Sequence, residues 1–98
     1  MVLWDWNDLL TDPEGENVFR VFLDAPESYT FLTMDAALAG DYTYLPFESL
    51  IDHVMITSDA LGEYGAGTTD VLELERNYPD YRSLISDHRP VLSRFELP

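Results

Sequence analysis

The sequence predicts a layered α/β or α+β domain, strand-rich with one or two helices. Three observations carry this. Short apolar runs suited to strands recur at residues 2–6, 29–33, 50–57, 69–75 and 90–97. One segment beginning near Thr11 has both the start signal and the apolar spacing of a helix. The 98 residues are 46% hydrophobic, enough for one globular domain and too apolar for a disordered tail.

Val2-Leu3-Trp4-Asp5-Trp6 reads as a short strand that runs into Asn7-Asp8. Thr11 with Glu14 fits a capping box, and Asp12 with Pro13 fits a cap followed by proline at the first helical position. Either register predicts a helix ending near residues 24–26. Its apolar face would hold Val18 with Phe22 and Phe19 with Leu23. Residues 29–33 read as a strand, 34–39 as a helical turn stopped by Gly40, and 41–45 as a short strand broken by Pro46.

Residues 50–57 form the clearest strand. Asp52, Val54 and Ile56 share one face, and Ile51, His53, Met55 and Thr57 the other. Both faces are largely apolar, which predicts a central strand covered on both sides. Asp52 then needs a partner, because an unpaired buried charge is costly. His53 reads as a packed or paired histidine. Residues 62–67 read as a glycine-rich turn, 69–75 as a strand, and 77–82 as a loop or short helix. In 90–97, Val91, Phe95 and Leu97 face one way, with Arg94 and Glu96 opposite.

Nineteen acids face five arginines and no lysine, for a formal net charge of −14. Such a surface repels phosphate backbones and argues against a dedicated nucleic-acid binder. It also suits a salt-adapted host. There is no cysteine, so disulfides and thiolate metal sites are excluded. No run approaches the length of a membrane span, and the N-terminus lacks the pattern of a signal peptide.

Three polar clusters lie where strands meet loops: Asp5-Trp6-Asn7-Asp8, Ile51-Asp52-His53, and Ser86-Asp87-His88-Arg89-Pro90-Val91. Taken singly, each has a plain reading. Asp5 and Asn7 suit a turn, Asp52 suits a buried acid paired with an arginine, and Ser86-Asp87-His88 suits a polar connection. Taken together and in order, they resemble the endonuclease/exonuclease/phosphatase family. The first is similar to that family's Gly-Asp-aromatic-Asn strand end, with Trp4 where the family carries glycine. The second resembles its aspartate-bearing strand. The third resembles its terminal Ser-Asp-His-x-Pro-Val motif.

The resemblance covers nearly the whole chain and places it in the C-terminal half of the family domain. It implies half of a four-layer α/β sandwich: one mostly antiparallel sheet with one or two helices outside. It implies His88 as the catalytic histidine, with Asp52 as its carboxylate partner. Asp5 would orient or deprotonate the attacking water, Asn7 would bind a phosphate oxygen, and Asp87 would help to hold Mg2+ or Mn2+. The substrate would be a phosphorylated small molecule or a nucleic acid, of which the acidic surface favours the former. The family's remaining metal ligands lie in its N-terminal half, so this chain alone is expected to be inactive. An uncovered inner sheet face is expected to draw a homo-oligomer or the N-terminal half onto it.

Overall fold

A computed structural model describes residues 1–65 and 67–96. In chain order the described elements are β1 (Val2–Asp5), α1 (Arg20–Leu23), β2 (Tyr29–Phe31), α2 (Met34–Leu38), β3 (Asp52–Thr57), α3 (Ser58–Tyr64), β4 (Thr68–Val71), α4 (Leu74–Asn77), α5 (Tyr81–Leu84) and β5 (Val91–Arg94). The class is mixed α and β, as expected. The expected single sheet is instead divided among the described residues into two antiparallel sheets, ordered β1-β3-β2 and β4-β5. The strand β5 spends its ladder on β4, from Val71 opposite Val91 to Thr68 opposite Arg94. The expected one or two helices are five short ones.

Central β3 is antiparallel to both neighbours, and His53 through Ile56 are buried. Directly opposed residues share a sheet face. Trp4 opposes His53, and Met55 opposes both Val2 and Phe31, so these define one face. Asp5 opposes Asp52, Leu3 opposes Val54 and Thr30 opposes Ile56 on the other. The expected wide uncovered face is much reduced, because Val54 and Ile56 are buried. Apolar residues are exposed instead on the edge strand β1, where Trp4 is 74% exposed and Val2 and Leu3 are also open, and at Tyr78, Leu84 and Ile85.

Phe19 is the keystone of the core. It is fully buried with Leu10, Phe31 and Met55, and Trp6, Phe22, Leu23, Tyr29 and Met34 close around them. Its ring meets Trp6 at 5.2 Å, Phe31 at 5.3 Å and the His53 imidazole at 5.3 Å, each edge to face. Such geometry suits the ring quadrupole.

The helix expected from Thr11 starts only at Arg20. Asn17 explains the delay. Its Nδ2 donates to the Leu10 carbonyl at 2.9 Å and the Asp12 carbonyl at 3.2 Å, and its Oδ1 accepts the Phe19 N–H at 2.8 Å. These side-chain bonds hold residues 10–19 in turns and outcompete helical bonding. Glu14 pairs with Arg20 rather than closing a capping box.

Three other segments differ from expectation. Gly62 lies inside α3, so the turn expected over 62–67 is in its first part helical. Asp59 sits in the first turn of that helix, where a negative charge suits the backbone dipole. The strand expected over 69–75 ends at Val71, because Glu73 and Glu75 turn towards the buried Arg89. Residues 41–45 supply only isolated bridges, from Tyr44 to Ser49 and to His88. Along β5 and its extension, Val91 and Phe95 are less exposed than Arg94 and Glu96, as the alternation implies. Leu97 lies outside the described residues.

The position of Phe19 yields a test. Phe19→Ala is expected to cost about 3–5 kcal/mol in urea denaturation, the usual range for truncating a core phenylalanine. Its exposed neighbour, under Val18→Ala, is expected to change stability by no more than about 0.5 kcal/mol.

Candidate active site

The three polar clusters converge at one end of the larger sheet. The β1–β3 register sets Asp5 directly opposite Asp52. Like charges at opposed positions repel. His88 relieves this: its Nδ1 lies 2.7 Å from Asp52 Oδ2, and its Nε2 lies 3.8 Å from Asp5 Oδ2 and 3.7 Å from Asp87 Oδ1. A carboxylate only accepts, so Nδ1–H donates to Asp52. The second nitrogen, Nε2, is left among the Asp5 and Asp87 carboxylates. Asp5, Asn7, Asp87, His88, Tyr44 and Phe47 are among the residues that line an open cleft of about 640 Å³.

Burial works against a charged His88 imidazole. The Asp52 hydrogen bond and the charges of Asp52, Asp5 and Asp87 outweigh it, and the His88 pKa is raised above its ordinary value. The ring is thus biased towards a cation with an N–H on both sides. Tyr44 flanks it, with ring centroids 5.1 Å apart.

His53 does the opposite work. It is 1% exposed, and burial lowers its pKa against the opposing pull of its bond to the Asp8 carbonyl and of nearby carboxylates. Its Nε2 is 2.8 Å from the Asp8 carbonyl and its Nδ1 is 2.9 Å from Thr33 Oγ1. A carbonyl must accept, so Nε2 donates to it and Nδ1 accepts from the threonine. This neutral ring anchors the loop after β1, which agrees with the sequence reading of a paired histidine. In that loop the Asn7 N–H donates to Asp5 Oδ1 at 3.0 Å, the turn those residue types favour. Asn7 takes φ 54°, a left-handed conformation that asparagine tolerates better than most residues.

Residues 86–90 are gripped along their backbone. Leu45 N–H donates to the Asp87 carbonyl at 2.9 Å, His88 N–H to Ser86 Oγ at 2.9 Å, and Tyr81 Oη to the His88 carbonyl at 2.7 Å. Arg89 N–H donates to the Thr43 carbonyl at 2.6 Å, and Leu72 N–H to the Pro90 carbonyl at 2.9 Å. Thr43 is itself buried, and its Oγ1 accepts the N–H groups of Ile51 at 3.1 Å and Asp52 at 3.2 Å. Thr43, Tyr81 and the Arg89 side chain were not singled out by sequence reasoning. Only an arginine beside a histidine, in a chain with few cations, offered a signal.

A hard divalent cation needs oxygen ligands. Asp5, Asp52 and His88 bring ligand atoms within 4.8 Å of one another, an arrangement that exposed acidic groups also reach without an ion. Asp52 Oδ2 and His88 Nδ1 are committed to each other, and an imidazole with a raised pKa is a poor ligand because metal binding requires its neutral form. The carboxylates of Asp5 and Asp87, half exposed in the same cleft, are the oxygens whose chemistry suits Mg2+ or Mn2+.

No family model matches the chain, and neither the curated proteins nor the solved structures yield a match.

The raised His88 pKa predicts a pH-dependent contribution to stability. A group whose folded pKa lies above its unfolded value, here about 6.5, stabilises fully below that value. The contribution is lost as pH rises through the folded pKa. The stability gap between the native chain and His88→Gln, from urea midpoints, is therefore expected to be wider at pH 6 and to narrow towards pH 9. Taking the difference cancels His53, whose lowered pKa makes protonation favour unfolding. A gap that widens with pH would contradict this assignment.

Proposed function

We propose that this chain carries the C-terminal portion of a divalent-metal-dependent phosphoesterase, hydrolysing a phosphodiester or phosphomonoester. One observation carries the reading: His88 donates Nδ1–H to Asp52 at 2.7 Å while Nε2 is turned to a cleft shared with Asp5, Asn7 and Asp87. The resemblance of the three motifs to the endonuclease/exonuclease/phosphatase family supports it.

Each residue then has a role set by its chemistry. Asp52 holds the imidazole tautomer and favours its cationic form. His88 presents Nε2–H to a phosphoryl or leaving-group oxygen, and in the neutral form the same nitrogen takes a proton from water. Asp5 orients the attacking water as acceptor. The Asn7 amide donates to a phosphate oxygen. Asp5 and Asp87 would hold Mg2+ or Mn2+, which when bound offsets charge developing on the phosphoryl oxygens. Among the described residues no arginine lines the cleft, so the phosphate charge must be met by His88, the cation and groups outside this chain. The chain alone is accordingly proposed to be inactive. The −14 net charge favours a small phosphorylated molecule over a long nucleic acid.

The test is hydrolysis of aryl phosphate mono- and diesters by the full-length protein that carries this chain. Chelation of the metal is expected to abolish turnover, and His88→Ala to slow it by about 10²–10⁴-fold, the usual contribution of a positioned acid or base. A rate that ignores both changes would sink the reading.

A second reading rests on β1. Among the described residues this edge strand has no sheet neighbour on one side, and it carries the exposed Val2, Leu3 and Trp4. Such an edge is a template for pairing with another strand. In this reading the chain is a non-catalytic module that self-associates or binds the N-terminal half of its domain there. Sedimentation velocity is expected to show a dimer that Trp4→Lys disperses. A monomer at all concentrations, with or without Mg2+, would count against self-association.

A further inference from the structure

Among the described residues Arg89 is the buried charged side chain, 2% exposed in a chain of net charge −14. Its guanidinium meets Glu75 through Nε, and Asp41 Oδ1 at 3.2 Å and Glu73 Oε1 at 3.6 Å through Nη1. Nη1 also donates to the Tyr42 carbonyl at 3.3 Å, and the guanidinium carbon lies 3.9 Å from the centre of the Tyr42 ring. A buried charge is tolerated only with such partners. None of these partners lines the His88 cleft.

The connections form a closed loop of bonds. Arg89 follows His88 directly. Its side chain holds residues 41–42, and its N–H donates to the Thr43 carbonyl at 2.6 Å. Thr43 Oγ1 in turn accepts the Asp52 N–H at 3.2 Å, and Asp52 Oδ2 returns to His88 Nδ1 at 2.7 Å. Without the guanidinium, Asp41 and Glu75 would lose their cation, and Glu73 would keep only the exposed Arg76 at 2.9 Å. Their repulsion would drive apart the two segments that Arg89 bridges, and Thr43 would carry the displacement to Asp52.

We infer that Arg89 is a positioning residue, whose buried ion cluster sets the distance and orientation of the His88–Asp52 pair. The inference rests on reading that pair as the working centre. Arg89 touches no reacting group. It acts by holding residues 41–43 and 88–90 in one register, which a planar, forked cation bonding several partners does better than a point charge.

The experiment is proton–nitrogen NMR of the imidazole N–H groups, on the native chain and on Arg89→Met, Arg89→Lys and Arg94→Met. The hydrogen-bonded His88 Nδ1–H is assigned by its absence from His88→Gln. The His53 Nε2–H, bonded to the Asp8 carbonyl, is the internal control. Arg89→Met is expected to lose the His88 resonance to exchange while the His53 resonance persists. Arg89→Lys should restore it in part, and Arg94→Met should leave both unchanged. In the full-length protein Arg89→Met is expected to lower kcat by about 100-fold, the scale of a misplaced catalytic group, with KM altered much less.

An unchanged His88 resonance in Arg89→Met overturns the inference. So does simultaneous loss of both resonances in a chain that remains folded, which would mark a general structural role. Should Arg89→Met not fold, Asp41→Asn and Glu75→Gln carry the test. Each leaves the cation in place and weakens one of its bonds, and an unperturbed His88 signal in both overturns the inference equally. The two readings separate cleanly. A protein without phosphoesterase activity whose His88 signal still depends on Arg89 removes the functional reading and leaves the anchoring role. An active protein whose His88 signal ignores Arg89 removes only this inference.

Discussion

Asp5 and Asp52 stand opposite each other across the β1–β3 ladder, where two carboxylates repel. That juxtaposition is tolerable because one imidazole lies against both, bonded to Asp52 and within ion-pair range of Asp5. The constraint reaches well beyond the three residues. To bring His88 there, residues 86–90 must cross the end of the larger sheet and be held on both sides by backbone bonds. The segment at 41–45 must lie alongside rather than form a full strand of its own, and β4 must end early so that Glu73 and Glu75 can reach Arg89. Much of the irregular structure of this chain serves that arrangement.

The two histidines show how place decides chemistry. Both are near carboxylates, and His53 lies one residue from Asp52. Yet His53 is sealed under Phe19 and Phe31 and bonds to a carbonyl and a hydroxyl, neither of which favours a charged ring strongly enough to offset burial. It stays neutral and holds the loop after β1. His88 is only part-buried and bonds directly to a carboxylate, so its cationic form is favoured. On the same strand β3, the aromatic core lies on the face of His53 and Met55, and the polar centre lies on the face of Asp52. The alternation of a β-strand therefore separates structure from proposed chemistry across a single residue step.

Several features were legible in the chain itself. Strand β3, the need of Asp52 for a partner and the paired state of His53 follow from alternation and residue type, whereas the grouping of Asp5, Asn7, Asp52, Asp87 and His88 was what the resemblance of the three motifs implied. Where the reading failed, a competing local or long-range bond was the cause. Asn17 overrode a good capping sequence by bonding the backbone of the preceding turn. Gly62 lowered the helical prospects of a segment whose first part nonetheless joins the helix that follows β3. Glu73 and Glu75 alternate with Leu72 and Leu74 as strand residues should, but a buried guanidinium offered their carboxylates more than the ladder did.

By itself, then, the sequence determined the mixed class, the central strand and the acidic surface, while the resemblance of its three motifs pointed to the polar residues that meet at the cleft. These depend on period, composition and short-range spacing, which a linear chain displays. Only the tertiary structure decided the division into two sheets, the register that opposes Asp5 to Asp52, and the part played by Thr43, Tyr81 and Arg89. Those rest on bonds between residues far apart in the chain, such as Arg89 with Asp41 and His88 with Asp52. The strength of such bonds comes from burial that exists only once the chain has closed on itself.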